Sequence, residues 1–339
     1  MKRKLSSVLT LAALLTLSAN VFAERKAPTN AKDFAQYMQE KHGFTADYVQ
    51  LVLGKAQKRD SILKAMSRPA EGKDWYEYRP IFLTDKRIKQ GVEFWQSNEE
   101  TLSEAQEKFQ VPAEIITAII GVETFYGRIQ GSYPVIEAIS TLAFHYPKRA
   151  KFFAGELEEY FVLAREQGWD LAQPKGSYAG AMGMGQFIPS SYRYYAVDFD
   201  GDNKINLFDN TKDAIGSVAN YFNKHHWRLG EPVAEYISNV TPELVETFRN
   251  KELKPQFDLA QMKQAGFDYH GQAEQDAATG IYAFQQESKE DYWLGFHNFY
   301  VITRYNRSPM YAMAVYQLSQ EIRKEYEKQK QSTEQTVGF

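Results

Sequence analysis

A single glutamate follows the most apolar segment of the chain. Residues 115–122 are almost entirely aliphatic, and Glu123 comes directly after them. Pro112 is typical of a first helical turn and Gly127 of a helix end, so we predict a buried helix with Glu123 in its last turn. Burial and the negative end of the helix dipole both disfavour the charged carboxylate. Glu123 is therefore a candidate general acid; the alternative is a helix-end glutamate that is paired with Arg128 or solvated.

A glycine-rich loop at residues 175–187 offers groups that suit a sugar. Its small residues let the backbone approach a ligand closely, while Ser177 and Gln186 can form hydrogen bonds. No Asp or Glu occurs from residue 171 to residue 197. A glycosidase usually needs a second carboxylate as nucleophile or base, so if that carboxylate is absent the substrate must supply the second group itself. The alternative is that the loop is a tight turn between packed helices.

An acidic loop follows, with the spacing of a calcium-binding EF-hand. Oxygen ligands at alternating positions can wrap one Ca²⁺, and position 7 contributes its main-chain carbonyl. Position 6 is Asn203 instead of glycine, which is tolerable because Asn accepts the left-handed conformation. The closing ligand is left open between Asp209, at position 12, and Asp213, in a longer loop. We expect a structural Ca²⁺, the alternative being an Asp-rich turn. The predicted ligands at positions 1, 3, 5 and 7 are Asp198, Asp200, Asp202 and Lys204.

The first 23 residues have the pattern of a cleaved signal peptide. Three basic residues follow Met1, an apolar run comes next, and a small-x-small pattern ends at Ala23. The apolar run is about half of the roughly 20 residues that span a bilayer, and the chain has no Cys that could be lipidated. We therefore expect a periplasmic protein without a membrane anchor.

The composition excludes some classes of protein and favours others. The formal net charge is -3, with both signs spread along the chain, so we expect no nucleic-acid partner. The 22 Tyr, 22 Phe and 5 Trp exceed what so polar a chain needs for its core. Aromatic faces with a polar edge also suit sugar rings.

The patterning predicts an α+β fold that is mainly helical. Helical spacing is strongest at residues 152–167, 211–226 and 310–327, while the last dozen residues are polar and are expected to be disordered. Between residues 228 and 293 the chain is richer in Gly, Pro and β-forming runs. The predicted units are a leader (1–23), an N-terminal helical domain (24–100), a catalytic core with the calcium loop (101–228), a small mixed α/β insertion (229–298) and a C-terminal helix that returns to the core and ends in a polar tail (299–339).

Four motifs in this order resemble the membrane-bound lytic murein transglycosylase B family. They are residues 119–127, residues 176–191, the acidic loop and residues 298–306. The resemblance implies a lysozyme-like core with one EF-hand-type Ca²⁺ site, flanked by a helical domain and a smaller mixed domain. It also implies cleavage of the β-1,4 bond between N-acetylmuramic acid and N-acetylglucosamine, which leaves a 1,6-anhydromuramic end.

The resemblance also assigns roles to single residues. Glu123 matches the family's acid/base, and Lys148 and Arg149 stand where the family has two arginines that face the peptide stem. The replacement of one arginine by Lys148 removes a planar, two-pronged hydrogen-bond donor, which weakens the case for the same stem preference. The residues that match the lining of the glycan cleft are Tyr78, Ser177, Gln186, Tyr221, Tyr305, Asn306 and Tyr311.

We expect the partner to be the glycan strands of peptidoglycan, with wall-synthesis enzymes as further candidate partners and a monomeric state. Two rivals remain open. A hydrolysing muramidase would use the same cleft with water as acceptor, and a non-catalytic wall-binding protein would keep the fold without the reaction.

Overall fold

The computed structural model describes residues 28–67 and 73–337, with side chains to residue 332. The predicted leader, residues 1–23, lies outside them. Throughout these ranges the fold is mainly helical, with a few short strands. No helix in the described ranges has both the length and the apolar character needed to cross a membrane.

The N-terminal part of the chain is a series of capped helices. The side chains of Asn30, Thr45 and Thr84 each accept a backbone N–H in the first turn of the helix that follows, which satisfies a donor with no partner inside the helix. The helices are α1 (Ala31–His42), α2 (Ala46–Lys55), α3 (Asp60–Met66), α4 (Trp75–Phe82), α5 (Asp85–Ser97) and α6 (Glu99–Phe109).

The central helix α7 (Ala113–Thr124) is surrounded by α5, α6 and two later helices, α11 (Thr211–Lys224) and α15 (Pro309–Val337). Every residue of α7 is buried except Glu123. The prediction of a buried central helix is confirmed. Between α7 and α11 lie β1 (Tyr133–Pro134), α8 (Val135–His145), a short 3₁₀ helix (Pro147–Arg149), α9 (Ala150–Gln167), β2 (Lys175–Gly176) and α10 (Pro189–Tyr195).

A small antiparallel sheet follows α11, with strand order β3-β6-β5-β4. One of its faces has an apolar core of its own that includes Leu259, Ile281 and Leu294. On the other face Tyr282 and Phe284 belong to the main core, where the Phe284 ring meets Trp75 of α4 at 5.3 Å between ring centres. The elements are β3 (Ala234–Ile237), α12 (Pro242–Phe248), β4 (Phe257–Asp258), α13 (Leu259–Gln264), β5 (Ala278–Gln285) and β6 (Glu290–Gly295).

The chain ends with α14 (His297–Tyr305) and the long helix α15. The expectation of a disordered polar tail is wrong, because α15 continues through residues 328–337. Contacts with α5 and α6 stabilise it. The Tyr326 ring stacks on Trp95 at 4.4 Å between ring centres, and both Tyr326 Oη, at 2.6 Å, and Lys330 Nζ, at 3.2 Å, bond to Glu99.

Candidate active site

Glu123 is the one residue of α7 whose side chain is partly exposed. Tyr311 Oη, on α15, donates a hydrogen bond to Glu123 Oε1 at 2.5 Å. Burial raises the pKa of Glu123 to about 7, although the hydrogen bond from Tyr311 acts in the opposite direction. At neutral pH the carboxyl group therefore exists in both protonation states, as a group that first gives and then takes a proton requires.

The turn after Glu123 is held in an unusual backbone conformation. The helix ends at Thr124 instead of near Gly127, and Phe125, Tyr126 and Gly127 all have left-handed backbones, with φ of 54°, 62° and 81°. This conformation is unfavourable for bulky residues and persists only where tertiary contacts impose it. Gly121 belongs to these contacts, because a Cβ there would come within 2.7 Å of the Tyr126 ring.

Thr124 connects this turn to the glycine-rich loop. Its hydroxyl donates to the Met184 carbonyl at 2.7 Å and accepts the Gly127 N–H at 2.9 Å. The sequence reasoning missed Thr124. The available signal was a hydrogen-bonding residue placed directly after the acid of an otherwise apolar helix.

The glycine-rich loop is a hairpin in which backbone packs against backbone. Met182 and Phe187 exchange both N–H···O bonds at 2.9 Å, and the Ser177 N–H donates to the Ala181 carbonyl, also at 2.9 Å. A Cβ on Gly183 would lie 2.5 Å from the Leu207 carbonyl oxygen, which is why glycine is needed there. Gly176 and Gly183 thus allow close backbone packing, and the role of the loop in sugar binding stays a prediction.

The predicted polar residues of the loop hold its shape. Ser177 Oγ accepts the N–H groups of Ala179 and Ala181 at 3.3 and 3.1 Å. Gln186 Nε2 donates to the carbonyls of Gln130 and Gly183, both at 3.1 Å. Both side chains remain partly exposed, so they can also meet a ligand.

Tyrosines from three helices surround Glu123 and the loop. Tyr305 Oη donates to the Gly185 carbonyl at 2.5 Å, and the Tyr305 ring lies 4.7 Å from Tyr221 between ring centres. Burial, with the negative charge of Glu123 as a further cause, raises the pKa values of Tyr305 and Tyr311 well above the ordinary value. These phenols therefore stay protonated and act as hydrogen-bond donors.

The remaining predicted cleft residues divide into two groups. Tyr78 is buried on α4 and is electrostatically coupled to Tyr311, and Asn306 is partly exposed directly after Tyr305. Lys148 and Arg149 are exposed in the 3₁₀ helix. Arg149 lies over the Phe152 ring at 4.2 Å.

The acidic loop gathers its first three aspartates. Carboxylate oxygens of Asp198, Asp200 and Asp202 lie within 4.8 Å of one another, a spacing that suits shared coordination of one cation. Asn203 has φ of 67°, which confirms the predicted left-handed conformation at position 6. Over the part of the chain that is described, the Lys204 carbonyl accepts no hydrogen bond, so it remains available as a ligand.

The two candidates for the closing ligand differ in position. Asp213 is fully buried and turned toward the loop, where its oxygens accept the N–H groups of Phe199 and Asn206, each at 2.8 Å. Burial raises its pKa, and the charges of Asp200 and Asp198 add to that effect. The side chain of Asp209 is exposed, and neither Asp209 nor Asp213 belongs to the cluster of three aspartates.

Comparison with known proteins shows the family to which the chain belongs. The sequence profile described as the transglycosylase SLT domain matches residues 26–320. Membrane-bound lytic murein transglycosylase B of Escherichia coli (strain K12) is 42% identical over 303 residues, which cover 86% of this chain and 82% of that protein.

Solved structures agree as well. Catenated lytic transglycosylase SltB1 from Pseudomonas aeruginosa has a TM-score of 0.82 and 48% identity, covering 87% of this chain and 97% of that one. The Escherichia coli lytic transglycosylase Slt35 in complex with calcium has a TM-score of 0.80 and 41% identity, covering 87% and 93%. The fold is thus lysozyme-like as well as mainly helical. With a buried acid at the end of its central helix, this chain belongs to the lytic murein transglycosylases of the SLT-domain family.

Proposed function

We propose that this lytic transglycosylase cleaves the β-1,4 bond between N-acetylmuramic acid and N-acetylglucosamine with Glu123 as its single acid/base. Protonated Glu123 donates its proton to the glycosidic oxygen as the bond from that oxygen to C1 of the muramic residue breaks. The carboxylate then takes a proton from the C6 hydroxyl of the same residue, and O6 bonds to C1. The 1,6-anhydro ring closes, Glu123 regains its proton and no water is consumed.

The observation that carries this proposal is the environment of Glu123. A pKa of about 7 lets one carboxyl group serve as acid and then as base at neutral pH. Burial raises its pKa, the Tyr311 hydrogen bond opposes that shift, and no second carboxylate in the described chain contributes. That pattern suits a reaction in which the substrate supplies its own nucleophile, whereas retaining and inverting glycosidases place two carboxylates across the bond.

We assign the sugar contacts to the polar groups around Glu123. Ser177, Gln186 and Asn306 offer hydroxyl and amide groups, and the tyrosines at positions 78, 221, 305 and 311 offer rings and phenolic donors. Lys148 and Arg149, exposed on the 3₁₀ helix, are assigned to the peptide stems beside the strand. Their positive charge suits a stem carboxylate.

We also infer a structural Ca²⁺ in the acidic loop. Asp198, Asp200, Asp202 and the Lys204 carbonyl would hold the ion, and Asp213 is the favoured closing group because its oxygens accept N–H groups of the loop residues Phe199 and Asn206. The relative Slt35 has been solved in complex with calcium. The bound ion would neutralise the clustered aspartates. Through Asp213 it would also connect the loop to the start of α11.

The place of action follows from the substrate. Because peptidoglycan lies outside the inner membrane, we propose that the chain is exported by the leader at residues 1–23 and acts in the periplasm as a monomer. Wall-synthesis enzymes remain candidate partners.

Mass spectrometry of purified peptidoglycan, after incubation with the wild type, Glu123→Gln and the control Glu104→Gln, tests the proposal. Glu104 is exposed on α6 and lies outside the site. We expect anhydro-muropeptides from the wild type and the control, and at least about a thousandfold less from Glu123→Gln. Reducing ends would identify a hydrolase. An absence of products from all three would identify a wall-binding protein.

A further inference from the structure

A groove of about 750 Å³ opens between α4, the β5–β6 hairpin and α15. Four aromatic residues border it: Tyr76 is 38% exposed, Trp293 and Tyr316 are partly exposed, and Trp75 is buried. The volume lies within the range of about 300–1,000 Å³ that is usual for ligand sites.

The polar groups of this groove suit a neutral ligand rich in hydroxyl and amide groups. Arg79 Nε donates to Gln317 Oε1 at 2.8 Å, and Lys289 pairs with Asp291 at 3.0 Å, so three of the charged groups are already engaged. The basic and acidic residues of the lining nearly cancel. A polyanion would find no net positive charge here. Aromatic faces beside amide side chains match the flat faces and N-acetyl groups of amino sugars.

The groove is separate from the site at Glu123. On α15 it is lined by Tyr316 and Gln320, whereas Tyr311 points toward Glu123. At about 100° per residue, Tyr316 and Gln320 lie about 140° and 180° around the helix from Tyr311. On α4 the exposed lining residue Tyr76 lies about 160° around the helix from Tyr78, while the buried Trp75 stacks on Tyr78 at the inner edge of the groove. The α4 and α15 helices therefore separate the two surfaces.

The groove continues along α15. A second cavity of about 670 Å³ shares Tyr316 and Gln320 with the first and extends past Tyr326. Ten residues of helix separate Tyr316 from Tyr326, which corresponds to about 15 Å along the axis. An elongated surface of this kind suits an extended polymer better than a single small molecule.

We propose that this groove along α15 is a second glycan-binding site, which holds an N-acetylated glycan strand while Glu123 acts on the same strand or on a neighbouring one. The inference rests on the proposed function, because its ligand is the polymeric substrate of that reaction. It would keep the enzyme on insoluble wall material between cleavage events. Short soluble fragments, which reach only the catalytic site, would gain nothing from it.

The test measures binding of the full chain to neutral β-1,4-linked N-acetylglucosamine oligomers and to intact sacculi, with Glu123→Gln as the starting protein so that nothing is cleaved. Tyr76→Ala and Gln320→Ala are added separately, because both side chains are exposed or partly exposed at the groove. Each substitution is expected to raise the apparent Kd for both materials at least about fivefold. Tyr76→Phe, which keeps the ring, should bind like the parent. Tyr48→Ala, a 44% exposed tyrosine on α2, should also leave binding unchanged.

A second measurement uses the active enzyme. Tyr76→Ala and Gln320→Ala should slow the release of products from sacculi but leave turnover of a soluble tetrasaccharide unchanged. Binding weakened less than fivefold in both variants would overturn the proposal. So would an equal loss on the tetrasaccharide, which would place these residues in the catalytic cleft. Loss confined to sacculi with peptide stems would identify a peptide site instead.

The two proposals fail in different ways. The binding measurement does not depend on chemistry, because every protein in it carries Glu123→Gln. Anhydro-products from the wild type together with unchanged binding would reject only the groove. Weakened binding without anhydro-products would reject only the reaction.

Discussion

Among the carboxyl groups whose pKa values burial raises, Glu123 and Asp213 differ in their surroundings. Glu123 accepts one hydrogen bond, from the phenol of Tyr311, and its Oε2 atom accepts none from the described residues. Asp213 uses both of its oxygens to accept backbone N–H groups, from Phe199 and Asn206. Burial alone therefore does not identify a catalytic acid. The number of groups that already hold the carboxylate distinguishes a proton carrier from a structural anchor.

The largest expected effect concerns the loop that Asp213 anchors. Addition of Ca²⁺ to chelator-treated protein should raise the Tm by roughly 5 °C or more, because an ion bound only by the folded state stabilises it. Differential scanning calorimetry with and without EDTA measures this shift. Asp202→Ala should abolish the shift, and Asp209→Ala should retain it if Asp209 is not a ligand. An equal Tm with and without calcium would reject the site.

The second prediction compares the two carboxyl groups by amide substitution. Asp213→Asn should lower the free energy of unfolding by about 1–3 kcal/mol, because the new NH₂ group cannot accept the N–H that the lost oxygen accepted. Urea unfolding in EDTA, which removes any contribution of calcium, is the measurement. If this variant proves as stable as the wild type, Asp213 is not an anchor.

Glu123→Gln should have the opposite effect on stability. Burial places the folded-state pKa of Glu123 at about 7, above the ordinary value of 4.5, so the wild type loses stability as the pH rises through this window. At pH 8 the variant should be more stable than the wild type by about 1–3 kcal/mol, and at pH 4 the two should be equal. Urea unfolding at both pH values measures the difference. A variant that is less stable at pH 8 would contradict the shifted pKa.

The smallest effect concerns the phenol on Glu123. The Tyr311 hydrogen bond lowers the pKa that burial raises, so Tyr311→Phe should raise the pKa of Glu123 further. The alkaline limb of the pH–rate profile should then move to higher pH, while the acidic limb records the need for a carboxylate in the second step. Gln90→Ala, a change near Arg128 and outside the site, serves as the control. An unchanged alkaline limb in Tyr311→Phe would show that the phenol does not control Glu123.

The sequence predicted those features of the two sites that depend on neighbouring residues. An aliphatic run that ends in Glu123 indicates a buried helix with an acid at its end, because side-chain periodicity is a local property. The alternating aspartates 198, 200 and 202 and the left-handed Asn203 are also local, since they follow from loop spacing and the backbone preferences of one residue.

Contacts between distant segments could not be predicted in this way. Tyr311 reaches Glu123 from 188 positions away, and the contacts that hold the left-handed turn at Phe125 and Tyr126 include the bond from Thr124 to Met184 in another loop. The residues beyond 327 have a polar composition that suggests disorder, yet they continue a helix whose preceding turns are held by α5 and α6.

The sequence by itself thus determined the chemical groups, their local spacing and the mainly helical class. Only the tertiary structure decided which oxygens of Glu123 and Asp213 are engaged, and that Gly176 and Gly183 allow close backbone packing. The physical reason is that a pKa and a hydrogen-bond partner depend on every group within a few ångströms, and in a folded chain most of those groups come from distant positions.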